Sequence, residues 1–347
     1  MTKRVFILGA GFSAGANMPL GDELTHLLLK RAREVERDEA FVTRLDALSD
    51  LAKTLPDKPP NFEQFFEHAI IWMGVLRSRQ QLCPLGRNDG YTPYSQAEDL
   101  EYWADTSLKP DLCGILHECQ NSAREAPVKR FCEALQPSDA ILTFNYDTLV
   151  EDALAYLEKP WNHGLEDATN GGTPVYKMHG SLDWELDERD LKRCGLTRLF
   201  QKEDSNAVRT GSVPSEETEY HLALYRIFRR LPDKPMQWGG CGIMGFGRFK
   251  RLSDLPGSAL TWKRAMGAMR EAEEITVVGF RLSEFDVLAQ LQFLEVLEVR
   301  KDAGLDPPVV RVVDPGAACP DFRARYTRVF GQGIEFIEDR MEQHDWA

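Results

Sequence analysis

A glycine-rich segment near the start of the chain has the residue types needed to hold a phosphorylated ligand. Gly9, Gly11 and Gly15 have no Cβ, so the backbone can turn sharply and bring its N–H groups close to a pyrophosphate, while Ser13 adds a hydroxyl donor. The apolar run 5–8 precedes this segment and an apolar helical pattern follows it, an order typical of a dinucleotide site. A tight connection without a ligand is the alternative, because the last glycine comes one residue later than in the usual dinucleotide fingerprint.

Polar residues also follow two later apolar runs. Asn145 and Asp147 come at the end of the run 140–144, and His179 follows the run 175–178. In open α/β sheets, ligands bind at the carboxyl ends of buried strands, so these side chains are predicted to meet at one edge. Asn145 and Asp147 can equally cap the helix that begins after them, and His179 can equally be a core histidine with satisfied hydrogen bonds.

Strand-like and helix-like segments alternate along the chain. This alternation predicts an α/β fold with a Rossmann-like, doubly wound, mainly parallel sheet. The predicted strands are 5–8, 140–144, 175–178, 275–280 and 309–313. The helices predicted between the first two strands are 20–36, 41–54, 62–73, 97–120 and 127–135.

The long interval between the first two strands indicates an insertion. We predict one domain spanning 1–347, with a helical insertion at about 37–136 and a small subdomain at about 185–272, after the third strand. The broad apolar face at 62–73 is a predicted oligomer contact.

Composition excludes several classes of protein. The chain of 347 residues is 43% hydrophobic and 28% charged, with no apolar run long enough to span a membrane and no cleavable signal, so a cytoplasmic protein is expected. The net charge of −13 argues against direct binding of nucleic acid. The seven cysteines show no C-x-x-C pair, so neither a disulfide framework nor a zinc site is predicted, and no metal is expected.

Two further histidines have other interpretations. His163 is a rival base, but no predicted strand precedes it, so we expect a surface histidine. His68 lies on a predicted helix with Glu63 and Glu67, where packing or helix ion pairing explains it better than metal binding.

Four segments, taken in order, resemble the sirtuin superfamily. They are most similar to the divergent sirtuin-like NAD hydrolases of bacterial antiphage defence systems. The chain departs from the protein deacylases of that superfamily, because Phe144 stands where they have Gln and the paired zinc-binding cysteines are missing. The resemblance therefore implies NAD cleavage without an acyl-lysine acceptor. The segments are 9–19, 143–147, 178–182 and 278–283.

The resemblance implies catalytic roles for the polar residues at the strand ends. Asn145 and His179 match the family's catalytic Asn and His, and Asp147 matches the Asp of its nicotinamide pocket. Breaking the nicotinamide–ribose bond builds positive charge on the sugar. The Asn145 amide would orient water and the ribose hydroxyls, and His179 would accept a proton. Asp147 would accept from the carboxamide or stabilise the developing charge.

NAD is expected as the substrate, and its predicted binding positions form two groups. In the first segment they are Gly9, Ala10, Gly11, Phe12, Ser13 and Asn17. In the last third, Gly279 and Ser283 are predicted to face the adenosine half, with Asp286 and Asp314 as further candidates. Asp314 can bond a ribose, or it can be a turn aspartate before Pro315. The preference for NAD or NADP stays open.

The sequence therefore predicts an NAD hydrolase, an NAD+ nucleosidase that yields nicotinamide and ADP-ribose. The resemblance implies an effector of antiphage defence that depletes NAD once a signal activates it. It also implies a homo-oligomer, a separate sensor partner, or both; the partner would be an ATPase, an Argonaute-like protein or another nucleotide-handling subunit. The alternatives are a non-hydrolytic regulatory subunit that binds NAD or ADP-ribose, and an NAD-dependent protein deacylase or ADP-ribosyltransferase.

Overall fold

The computed structural model describes residues 3–35, 109–164, 171–186 and 258–346, together with the short pieces 208–209, 225–227 and 241–244 and residues 252 and 255. The predicted helices 41–54 and 62–73, His68, and most of the predicted insertion 37–136 lie outside these ranges. Among the described residues, no helix is both long and apolar enough to cross a membrane.

The described elements alternate between strands and helices for much of the chain. The strands are β1 (Arg4–Leu8), β2 (Ala140–Thr143), β3 (Trp161–Asn162), β4 (Thr173–Lys177), β5 (Gly180–Leu186), β6 (Val208–Arg209), β7 (Tyr225–Ile227), β8 (Cys241–Ile243), β9 (Glu274–Val278), β10 (Val309–Val313) and β11 (Glu335–Ile337). The helices are α1 (Ala10–Ala14), α2 (Gly21–Val35), α3 (Lys109–Asn121), α4 (Glu125–Glu133), α5 (Leu149–Tyr156), α6 (Ser258–Glu271), α7 (Val287–Asp302) and α8 (Pro320–Phe330).

Seven strands form one parallel sheet in the order β11-β10-β9-β1-β2-β4-β3. The last residues of five strands lie side by side: Leu8 pairs with Thr143 and Val278, Thr143 pairs with Lys177, and Val278 pairs with Val313. The residues that follow these strands therefore emerge at one common edge.

The order of the strands reverses direction at β1. From β1 the chain proceeds to β2 and β4 on one side, and it later returns to β9, β10 and β11 on the other. The loops after β1 and β9 therefore lead in opposite directions, and such a topological switch point is where open α/β sheets bind ligands.

Helices cover both faces of the sheet. Phe6 and Leu8 point into one hydrophobic cluster, with residues of α2 to α5. Val5 and Ile7 point into a second cluster, with residues of α6, α7 and α8. Strand residues alternate between the two faces, and both faces are buried, so β1 reads as a continuous apolar run. The predicted Rossmann-like, doubly wound α/β fold is confirmed.

Several elements extend the predicted set. The strand β3, the strand β11 and the helix α8 were not predicted, and β3 has only two residues, too few to show a period. The helix α6 falls within the predicted subdomain 185–272, yet it packs on the parallel sheet through Trp262 and Ala265. The domain limits beyond the described residues stay a prediction.

A second, antiparallel sheet follows β4. Its order is β6-β7-β5-β8, and β5 begins at Gly180, directly after His179. Gly180 has φ +86°, and a Cβ there would lie 2.0 Å from the carbonyl oxygen of Gly242, so this tight crossing requires glycine. The small sheet therefore starts at the same edge as the candidate site.

Candidate functional site

The glycine segment after β1 packs directly against the loop after β9. The Gly9 N–H donates to the Val278 carbonyl at 3.1 Å, and the Gly11 N–H donates to the Gly279 carbonyl at 2.8 Å. A Cβ on Gly279, which has φ +60°, would lie 2.2 Å from the Phe12 nitrogen. These glycines therefore allow two backbones to meet at the topological switch point.

This packing corrects the expected approach of these N–H groups to a pyrophosphate. Gly9 and Gly11 donate to the β9 loop, and Phe12 donates to the Gly9 carbonyl at 2.9 Å, so these donors are engaged within the protein. The segment forms the short helix α1 where an open turn was expected. Ala10, the first residue of α1, is exposed. Asn17, just past the end of α1, is also exposed; it has φ 69°, and its N–H donates to the Ala14 carbonyl.

A directional chain of hydrogen bonds joins Asn145, Ser13 and Asp147. Asn145 Nδ2 donates to the Gly9 carbonyl and to Ser13 Oγ, both at 2.9 Å, and Ser13 Oγ donates to Asp147 Oδ2 at 2.7 Å. Because the Gly9 carbonyl can only accept, the atom facing it must be the amide nitrogen. The three side chains are buried, and they connect β1 to β2.

This chain decides which atoms can face a ligand. Both amide hydrogens of Asn145 are directed to protein atoms, so its Oδ1 is the group that can meet a ligand or water, as an acceptor. In this arrangement the Asn145 amide group can orient water or a ribose hydroxyl as an acceptor only. Ser13 likewise bridges two site residues, since its hydroxyl hydrogen goes to Asp147.

The Asp147 carboxylate accepts two hydrogen bonds. Its Oδ1 accepts the Leu149 N–H at 3.3 Å at the start of α5, as expected of an aspartate before a helix. Its Oδ2 accepts from Ser13. The Asp147 carboxylate can therefore accept an N–H at the start of α5 and at the same time belong to the hydrogen-bonded chain of Asn145 and Ser13.

A buried ion pair beneath this loop was missed by the sequence analysis. Lys177 Nζ lies 3.1 Å from Glu151 Oε1, and the two side chains are 0% and 3% exposed. Lys177 also donates to the main-chain carbonyl of Asp147. The signal in the sequence is a lysine inside an otherwise apolar run. Lys177 thus joins the end of β4 to the loop that carries Asn145.

His179 lies at the end of β4 beside the same loop. Its ring meets the Phe144 ring edge-on, with centroids 5.0 Å apart, and the Tyr146 ring lies 6.3 Å away. Its carbonyl accepts the Met244 N–H at 2.8 Å, at the end of β8. The rings of both sequence neighbours of Asn145 therefore lie near the His179 ring, and the two predicted catalytic residues follow adjacent strands, β2 and β4.

Ser283 and Asp286 are also at this site. Asp286 Oδ1 lies 4.0 Å from His179 Nε2, and Asp286 Oδ2 accepts a 2.8 Å hydrogen bond from Ser283 Oγ. Tyr326 supports the loop by donating its hydroxyl to the Phe280 carbonyl, and burial raises the pKa of Tyr326 well above its ordinary value. The sequence predicts that Ser283 faces the adenosine half and offers Asp286 as a further candidate; the structure places Asp286 beside His179.

Asp314 makes a local bond after β10. Its Oδ1 accepts the Gly316 N–H at 2.6 Å, and its carbonyl accepts the Ala317 N–H at 2.9 Å. This is the arrangement of a turn aspartate, the alternative that the sequence left open.

The expected surface position of His163 is wrong. His163 is 1% exposed, and its Nδ1 lies 3.3 Å from the Val175 carbonyl. Its ring packs edge-on against Trp161 and Trp184, with centroids 5.0 and 5.3 Å away. The short strand β3, which the sequence did not reveal, places it beside the middle of β4, away from the carboxyl edge.

Within the ranges that the structure describes, no group of three or more His, Cys, Asp or Glu side chains is arranged to hold a metal ion. The chemistry of the described site is that of amide, hydroxyl, carboxylate and imidazole groups.

One family model matches part of the chain. It is described as a SIR2-like domain, and it matches residues 139–209. The matched part contains Asn145, Asp147 and His179, while the glycine segment and the loop with Ser283 and Asp286 lie outside it. The match supports a sirtuin-like superfamily and a function related to NAD, which SIR2-like domains use. No curated protein matches the chain.

Proposed function

We propose that this chain is an NAD hydrolase that cleaves the nicotinamide–ribose bond to give nicotinamide and ADP-ribose. The observation that carries the proposal is the hydrogen-bonded chain of Asn145, Ser13 and Asp147 at the carboxyl edge, together with His179, whose ring lies near those of Phe144 and Tyr146 on either side of Asn145 in the sequence. The match to a SIR2-like domain supports NAD as the substrate, because it covers three of these four residues.

The proposed reaction uses each side chain for one task. Water attacks the ribose carbon C1′, the bond from C1′ to the nicotinamide nitrogen breaks, and its electron pair leaves with nicotinamide. His179 takes the proton lost by the water and later releases it to solvent. Asn145 Oδ1 accepts a hydrogen bond from the water or from a ribose hydroxyl, which holds it in place. The Asp147 carboxylate stabilises the positive charge that develops on the sugar.

The resemblance supports a wider biological proposal. We infer that the enzyme is an effector of antiphage defence, which depletes NAD after activation and is inactive before it. Such an enzyme needs control, so a sensor subunit or self-assembly is proposed to activate it. The resemblance points to an ATPase, an Argonaute-like protein or another nucleotide-handling subunit as that sensor.

The test is NAD consumption by the purified full chain, alone and with the protein encoded beside it. His179→Ala and Asn145→Ala are each expected to lower the rate about 100-fold or more, because each removes a group that acts on the water. The matched controls are His344→Ala and Asn162→Ala, whose side chains bond Asp339 and Gly171 away from the site. Both controls are expected to keep the wild-type rate.

Three outcomes contradict the hydrolase. NAD that binds without being cleaved, under every condition, favours the regulatory subunit. Labelled ADP-ribose that becomes attached to protein favours an ADP-ribosyltransferase. Loss of acyl groups from an added acylated peptide, dependent on NAD, favours a deacylase.

A further inference from the structure

A carboxylate from a separate part of the chain faces His179. Asp286 Oδ1 lies 4.0 Å from His179 Nε2, and the two side chains are 10% and 8% exposed. This distance is too long for a hydrogen bond, but it is within the range of an ion pair. Because both groups are largely removed from water, the attraction between a carboxylate and a protonated imidazole is stronger here than at the surface.

The orientation of Asp286 is set by its own loop. Ser283 Oγ donates to Asp286 Oδ2 at 2.8 Å, the Asp286 N–H donates to the Ser283 carbonyl at 3.0 Å, and Gln290 Nε2 donates to the same carbonyl at 2.7 Å. Asp286 occupies the N-cap position of α7, yet its side chain makes no capping hydrogen bond to that helix. Ser283 thus holds one carboxylate oxygen while the other faces His179.

Among the residues that the structure describes, several neighbours of the pair carry no charge near neutral pH. Phe144 and Tyr146 face His179 from the loop after β2, and the Met244 backbone meets it from the end of β8. Tyr326 faces Asp286 from α8, and burial raises the pKa of this phenol, so it stays neutral. Of these neighbours, Asp286 is the one that carries charge toward the imidazole.

We propose that Asp286 is a positioning residue for His179, which orients the imidazole and stabilises it once it has taken the proton from the attacking water. The inference rests on the proposed hydrolase function and adds to it a residue outside the SIR2-like match. Asp286 acts through Nε2 of the imidazole, the ring nitrogen that lies 4.0 Å from its carboxylate. Ser283 acts on Asp286, because its hydroxyl group holds the Asp286 carboxylate in place.

The variant that tests this is Asp286→Asn. Asparagine has the same shape, can accept from Ser283 and is as good an N-cap residue, so it removes the charge while keeping the local structure. We expect kcat to fall about tenfold or more with an unchanged KM, because the proposed role of Asp286 acts through His179 and involves no contact with the substrate. The acid limb of the kcat profile is expected to move to lower pH, since an imidazole without its carboxylate loses its proton more easily.

A second readout does not depend on turnover. In an NMR pH titration of the histidine Cε1–H signals, with His179→Gln used for assignment, the His179 midpoint is expected to move to lower pH in Asp286→Asn by about one pH unit or more. Ser283→Ala is expected to give a smaller shift in the same direction. The control is Asp321→Asn, an exposed carboxylate in the first turn of α8, which leaves the midpoint and kcat as in the wild type.

The outcomes separate the two proposals. An unchanged midpoint and profile in Asp286→Asn overturn the role of Asp286 and leave the hydrolase standing. Absence of NAD cleavage by the wild type, with the midpoint shift present, overturns the hydrolase and supports the pairing. If Asp286→Asn fails to fold, Ser283→Ala decides: a shift to lower pH supports the inference, and no shift overturns it.

Discussion

The two sides of the carboxyl edge are held together in different ways. On the side of β2 and β4, side chains join distant parts of the chain, as in the bonds of Ser13 to Asp147 and of Lys177 to Glu151. On the side of β9 and β10, backbone contacts and local bonds dominate. There Gly279 packs against the glycine segment, and Asp314 bonds a residue two positions along.

The difference shows where this fold places its chemical groups. A buried side chain that bonds across elements is fixed by the whole structure, so it can hold a precise orientation toward a ligand. A side chain that bonds its own turn mainly shapes the backbone. Asp286 and Tyr326 are exceptions on the β9 side, because Asp286 reaches across to His179 and Tyr326 bonds the Phe280 carbonyl.

The largest effect on stability is expected from Lys177→Met, which breaks the buried pair on the β2 and β4 side. It removes the ammonium group that offsets the buried charge of Glu151, so we expect the free energy of unfolding to fall by about 3–5 kcal/mol. Urea denaturation followed by circular dichroism measures this loss.

Two further variants calibrate that result. The double variant Lys177→Met/Glu151→Leu is expected to recover most of the loss, because neither charge of the pair remains. Lys3 forms an exposed ion pair with Glu271, and the two side chains are 56% and 55% exposed. Lys3→Met breaks this pair and is expected to lower the free energy of unfolding by less than about 1 kcal/mol. A similar loss in Lys177→Met and Lys3→Met would contradict the contrast between the two pairs.

A smaller effect is expected from Gly279→Ala, on the backbone side. Gly304→Ala is its matched control, because Gly304 has φ +69°, close to the +60° of Gly279, and a Cβ there would meet nothing within 4 Å. Both variants carry the strain of a positive φ, but only the methyl group added at position 279 forces two backbones apart. We therefore expect the free energy of unfolding of Gly279→Ala to be about 1–3 kcal/mol lower than that of Gly304→Ala. Equal thermal and urea midpoints would refute the close packing of the two loops.

The smallest effect is expected from Asp314→Ala. The Asp314 carboxylate accepts the Gly316 N–H, so Asp314→Ala is expected to lower the free energy of unfolding by about 1 kcal/mol. Asp314→Asn is expected to lower it less, because the amide oxygen can still accept that hydrogen bond. Chemical denaturation of the two variants, compared with the wild type, gives the values. A loss of about 3 kcal/mol or more in Asp314→Ala would show that this residue also supports a distant element.

The sequence was informative where its signal was local. The strands of the parallel sheet from β1 to β10, apart from the two-residue β3, showed mainly apolar runs, because both faces of a parallel sheet are buried. The polar residues after those runs were visible as candidates for the same reason. The turn interpretation of Asp314 was also available, since it needs only the neighbouring residues.

The sequence was misleading where a partner lay far along the chain. The glycines after β1 suggested free N–H donors, yet the loop after β9 uses those of Gly9 and Gly11. His163 was expected at the surface because β3 is too short to be recognised. Lys177 carried no sign of its partner, since Glu151 lies on a helix and only packing brings the two together.

The sequence by itself determined the alternation of strands and helices, the parallel sheet and the polar residues at its carboxyl edge, because burial and helical periodicity are properties of short segments. Only the tertiary structure decided which of those residues meet. The direction of the Asn145 amide, the bridging role of Ser13 and the approach of Asp286 to His179 each depend on loops from separate strands. Those loops become neighbours only when the sheet forms in its observed order.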